Sequence, residues 1–154
     1  MRLRLSVPLA ATLLSACNPG LAGDWEGDIR CDDVTFDLRA ELEKDGGGEY
    51  EGSMEQEVDV SGTESGVDYR IWFLMELDLV LSIDGRGEQE LDVDGELADV
   101  SCKYWEDGDL LSDDCGELGF DYDIGADLDL GEVTWDGKDS IEIDDGDCSG
   151  ELER

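Results

Sequence analysis

The chain has no histidine among its 154 residues, and that absence narrows its chemistry at once. Ser-His-Asp and Cys-His nucleophile systems need an imidazole as general base, so both are excluded. No C-x-x-C pair occurs, which removes the thiol-redox motif and, with histidine missing, leaves zinc few ligands. No Gly-rich phosphate loop is present. No apolar run approaches the roughly 20 residues that a membrane-spanning helix needs. Positive charge is also scarce. Three lysines and seven arginines face 44 acidic residues, for a formal net charge of −34. Such a chain repels nucleic acid and anionic headgroups, so neither is a partner. So many carboxylates would supply a glycosidase-like pair anywhere by chance, so their number argues for no such site. The chain reads as non-enzymatic and without a cofactor.

What is present begins at the N-terminus. Arg2 and Arg4 lead a run of about ten apolar residues, Leu5 to Leu14, in the usual range for a secretory signal. It closes on Leu14-Ser15-Ala16-Cys17. This resembles the bacterial lipobox, with a Leu three before the Cys and small residues between. The resemblance implies cleavage before Cys17, a diacylglyceryl group on the Cys17 thiol and acylation of the new amino group. Two or three acyl chains hold a membrane far more firmly than one, each buried CH₂ contributing about 0.8 kcal/mol. Asn18 in second place, rather than Asp, implies the outer membrane. The expected organisation is a cleaved leader over 1–16, a lipid-attached tether over 17–22 and a single all-β domain over 23–154. With the two leader arginines gone, the mature chain is still more negative. Its few lysines and many acids match the surfaces of proteins from salty habitats, where counterions screen the repulsion.

With Cys17 assigned to lipid, Cys31, Cys102, Cys115 and Cys148 remain. An even number in an exported chain suggests two disulfides, with three possible pairings. Cys102–Cys115, stapling a polar loop, and Cys31–Cys148, tying the first strand to the last, are the favoured pairs.

Apolar residues recur at every second position through most of the domain, the signature of half-buried strands. Val34, Phe36, Leu38, Ala40 and Leu42 alternate with polar neighbours, and Asp45-Gly46-Gly47-Gly48 turns the chain. Tyr50 to Val60 returns, Ser61 to Gly66 reads as a loop, and the longest strand runs from about Val67 to Ile83. Trp72 and Leu74 on its outer face mark either a contact patch or, as is ordinary for a strand surface, isolated exposed apolar residues. After Asp84-Gly85-Arg86-Gly87 the next strand changes parity at Leu97-Ala98, which predicts a bulge or a turn. Glu106 to Gly116 reads as an acidic loop. Leu118 to Leu130 alternates again and predicts a further strand, and Asp136-Gly137 predicts a hairpin. About eight to ten antiparallel strands without an amphipathic helix imply an up-and-down barrel or, second, a β-sandwich. Gly23-Asp24-Trp25 resembles the first-strand signature of lipocalin-like barrels, in which the Trp plugs the closed end.

Two readings of the domain's role follow. In the first it is a binding or structural module for a protein or a small apolar ligand, in which the inward set Trp25, Phe36, Tyr69, Phe73 and Leu128 fills a small core or, if one end of the barrel is open, lines an apolar pocket. In the second the Asp-rich turns bind Ca²⁺. Counted from Asp121, acids fall at positions 1, 3, 7, 9 and 12, which resembles part of an EF-hand loop. Ala126 stands where that loop needs Gly, and no helices flank it. Asp144-Asp145-Gly146-Asp147 and Asp107-Gly108-Asp109 are the other candidate turns for a divalent cation.

Overall fold

The computed structural model describes residues 20–45, 47–84, 89–120 and 122–154, the side chains of Asp84 and Gln89 apart. The expected leader, Cys17, the Gly85-Arg86-Gly87 turn and Asp121 lie outside the described residues. Ten strands form one antiparallel sheet: β1 (Gly23–Cys31), β2 (Val34–Lys44), β3 (Tyr50–Glu64), β4 (Val67–Asp84), β5 (Gln89–Glu106), β6 (Asp109–Ser112), β7 (Asp127–Leu128), β8 (Glu132–Trp135), β9 (Ser140–Asp144) and β10 (Cys148–Glu153). No helix occurs among the described residues.

The sheet closes on itself. β1 to β5 pair in chain order, β5 passes to β8, β8 to β9 and β10, and β10 returns to β1. This is an eight-stranded barrel of antiparallel neighbours, with β6 and β7 on the edge of β5. An eight-stranded barrel is just wide enough for its own side chains to fill. Trp25, Leu21, Leu38, Leu77 and Leu97 are each under 2% exposed or close to it and form the centre of the core. No polar or charged side chain is buried among the described residues. At the seam between β1 and β10 a Cβ on Gly27 would lie 1.8 Å from the Glu151 carbonyl oxygen, so the strands approach closer than any side chain permits.

One end of the barrel is closed. Leu21 is fully buried, and the Trp25 indole N–H donates to its carbonyl at 2.8 Å. The Arg154 guanidinium lies 4.6 Å from the Trp25 ring centre and donates to the carbonyls of Gly20 and Ala22 at 2.9 and 3.0 Å. The chain therefore enters the barrel at this pole, beside Tyr50 and the β2–β3 turn.

At the opposite pole β3, β4 and β5 do not stop with the barrel. β2 pairs with β3 only over Asp37–Lys44, whereas β3 and β4 pair on to Glu64 and Val67. Residues 58–64 of β3, with their partners on β4 and β5, thus run on about 20 Å past the last β2–β3 pair. The β4–β5 register shifts at Glu76/Leu77, where Ala98 is the extra residue. This is the bulge that the parity change at Leu97-Ala98 predicts, and it lies where barrel gives way to projection. A bulge adds local twist and re-aims the strands beyond it.

The strand boundaries differ from the sequence expectation in three places. Ser61 to Gly66 is not a loop: β3 runs to Glu64, and Ser65-Gly66 alone makes the turn, with φ of 53° and 86°. Positive φ at both central residues is the tight hairpin geometry whose twist matches its strands. Glu106 to Gly116 is likewise partly strand, because Asp107-Gly108 makes the same kind of turn (φ 48° and 88°) into β6. Among the described residues of the Leu118 to Leu130 stretch, only Asp127–Leu128 is strand. Gly119, Gly125 and Gly131 take φ of 84°, 82° and 70°, and these left-handed positions break the extended chain.

Candidate functional site

The residues expected to line one inward pocket do not meet. Trp25 plugs the closed end, Phe36 packs at the margin of the core, and Leu128 lies at the opposite mouth. Tyr69 and Phe73 lie past the last β2–β3 pair, on the projecting part of β4, and neither belongs to the barrel's core cluster. The parity was read correctly, but strand length carried these two residues past the wall. What remains at the mouth is a cavity of about 150 Å³, lined by Ile29, Leu38, Met54, Met75 and Leu77 and bounded by Leu128, Leu130 and the Cys31–Cys148 disulfide. Gln56, which interrupts the inward apolar series, faces this space.

The projecting sheet has two different faces. On the side continuous with the barrel interior, cross-strand rows run Val58–Phe73–Cys102, Val60–Ile71–Tyr104 and Gly62–Tyr69–Glu106. The Tyr69 ring lies across Gly62, where a Cβ would come within 2.6 Å of the hydroxyl. The first row is covered. A disulfide from Cys102 holds Cys115 against it, and the rings of Phe120 and Tyr122 sit 5.6 and 5.7 Å from that of Phe73. The later rows are open. Large exposed apolar side chains gather here: Val60, Val67, Leu110, Leu111, Tyr122 and Ile124 belong to the projection or its cover, and Val34 starts the adjoining strand.

The outer face carries a ladder of rings and cations. Asp59, Trp72 and Lys103 lie side by side, as do Ser61, Arg70 and Trp105. Arg70 sits 4.9 Å over Trp105, and Lys103 sits 5.1 Å over Trp72. Arg70 also donates through both its Nε and its terminal nitrogen to Asp59, the Nε bond being 2.8 Å. The Trp72 indole donates to Glu57 at 2.6 Å. The Arg70 bonds hold the Asp59 carboxyl below its usual range. Of the expected contact patch, Trp72 is held in this ladder by Glu57 and Lys103, and Leu74, on the same face, is half-buried. On the other face the Tyr104 hydroxyl donates to Glu106 at 2.6 Å, which raises its pKa.

The Asp-rich turns employ their carboxylates as backbone acceptors. Asp45 accepts from Gly47, Gly48 and Glu49, and Asp136 from Lys138, Asp139 and Ser140. Those N–H groups, Lys138's foremost, keep Asp136 below the usual carboxylate range. Asp114, Asp129, Asp144 and Asp145 act similarly within their own turns. Such Asx turns explain the Asp-Gly pattern without an ion. Among the described residues, no three acidic or cysteine side chains converge so as to hold a metal. Asp107-Gly108 is a hairpin turn, its carboxylate accepting from the Asp68 N–H at 3.2 Å.

No signal in the sequence marked the projection, because strand length alone does not say where neighbouring strands end. Neither a protein-family model, nor a curated protein, nor a solved structure matches this chain.

Proposed function

We propose that the chain is a lipid-anchored protein of the bacterial envelope, on the outer membrane, serving as a non-enzymatic binding module that holds its projecting sheet away from the bilayer. The observation that carries this reading is polarity. The described chain starts at Gly20 in the closed end, and the open apolar sheet stands at the other pole. Cys17 lies three residues before Gly20, a reach of at most about 11 Å. A lipid on Cys17 would therefore hold the closed end at the membrane and point the sheet outward. The acidic strand faces favour that posture, since like charge keeps the body from lying flat on anionic lipid.

The test is metabolic labelling with palmitate in a bacterial host, wild type against Cys17→Ser, with membranes separated by density. Label and outer-membrane recovery in the wild type, both lost in Cys17→Ser, are expected. A mature chain that lacks Cys17, or label that survives the substitution, overturns the reading.

A further inference from the structure

The two edges of the projecting sheet are treated differently. On the β5 side the edge is occupied: β6 pairs with residues 104–106, β7 with residues 95–96, and the Cys102–Cys115 disulfide holds the following segment close. On the β3 side, residues 58–64 pair only with β4. Pairing with β2 ends at Asp37–Glu57, and residues 34–36 of β2 pair with β1 alone. Among the described residues, nothing bonds to the outward backbone groups of 58–64. Natural sheets blunt such edges with charged side chains, lysine above all, or with proline, a bulge or a very short strand; the charges on this edge, Asp59 and Glu64, are acidic and repel another acidic strand but not a basic one. This edge has seven residues, no lysine, no proline and no register shift against β4. Val58, Val60 and Thr63 also favour extended backbone.

We infer that the β3 edge, residues 58–64, is a site for strand addition by an extended basic segment of a partner protein. Main-chain bonds to the edge would provide affinity, and alternate side chains the specificity. Apolar residues of the incoming strand would continue the Val60–Ile71–Tyr104 row, where Val60 is 41% exposed. Its lysines or arginines would fall on the other face beside Glu57 and Asp59, in the field of a chain with net charge −34. A second copy fits poorly, because it brings the same charge to within a Debye length of about 8 Å. The inference concerns the edge itself and stands whether or not Cys17 carries lipid.

The experiment uses the full-length protein in nonionic detergent with three short peptides: alternating Val and Lys, the same composition in block order, and alternating Val and Glu. Binding is read by titration, and the site by amide hydrogen exchange. The alternating basic peptide is expected to bind at least about tenfold tighter than the block peptide and to protect the 58–64 amides. Val60→Lys should remove most of that binding while leaving the circular dichroism spectrum unchanged. Equal binding of block and alternating peptides, or protection elsewhere, would reduce the effect to charge adsorption and overturn the proposal. Protection of 58–64 that rises with protein concentration alone would overturn it in favour of self-association.

Discussion

The same three strands build two unlike regions. Where β3, β4 and β5 run through the barrel, every strand has a neighbour on each side, and Leu77, Leu79, Leu81 and Leu97 are all within 5% of full burial. A few residues further on, β3 and β4 keep their alternation, but there is no opposite wall. Phe73 and Cys102 are buried only because a disulfide-held segment folds over them. The rest of the projection is held by hairpin turns, an Arg70–Asp59 pair and cations stacked on indoles. Alternation therefore makes a strand in both places, but a core only where the sheet closes. The barrel supplies stability, and the projection supplies exposed edge and apolar surface.

Leucine truncation separates the two regions most sharply. Leu77→Ala, in the barrel centre at 1% exposure, is expected to cost about 2–5 kcal/mol in urea unfolding. Leu110→Ala, on β6 at 51% exposure, should cost under about 0.5 kcal/mol. Similar losses would mean that the projection is packed in solution. Next in size is the staple. Replacing Cys102 and Cys115 with Ser opens a loop with a sequence separation of 13, worth about 3 kcal/mol by loop-closure entropy. Limited proteolysis should then cut within 113–126 before it cuts any barrel strand, and first cuts in the barrel would contradict the division.

A smaller effect tests the acidic turns. Melts in CaCl₂, MgCl₂ and NaCl at matched ionic strength should rise together, because the turn aspartates already accept backbone N–H groups. A rise specific to Ca²⁺ would make a cation site primary, since a ligand a hundredfold above its Kd adds about 2.7 kcal/mol. The smallest effect is on titration. Asp59 is held low by Arg70, so its contribution to stability is present above the unfolded-state pKa and is lost as pH falls through the folded value. Carboxyl-carbon NMR should show Asp59 titrating below the usual aspartate range, and Arg70→Gln should raise it. An unmoved Asp59 would mean that the pair does not persist in solution.

Much of the fold was legible in local pattern. Strict alternation gave away β2, β4 and most of β5, the parity change at Leu97-Ala98 marked the bulge, and Asp136-Gly137 marked a turn. Cys31 and Cys148 could be paired by reasoning because an even set of cysteines on the first and last strands suits a closing sheet, and they are direct register partners. Reading failed over Leu118 to Leu130, where alternation persists but two left-handed glycines within the stretch, Gly119 and Gly125, and a third just after it, Gly131, decide the backbone. It failed again for the pocket, since Tyr69 and Phe73 share the inward parity of core residues without lying inside.

Sequence by itself determined the strand identity of most segments, the net charge of −34, and the apolar run before Cys17 on which the proposed anchor rests. These follow from period, composition and short motifs, all of which act locally along the chain. Only the tertiary structure decided that β5 closes onto β8, that the chain enters at one pole while a sheet projects from the other, and that the β3 edge is left open. Those outcomes depend on which strand ends first beside which neighbour. That is a register between residues far apart in the chain, and no local pattern encodes it.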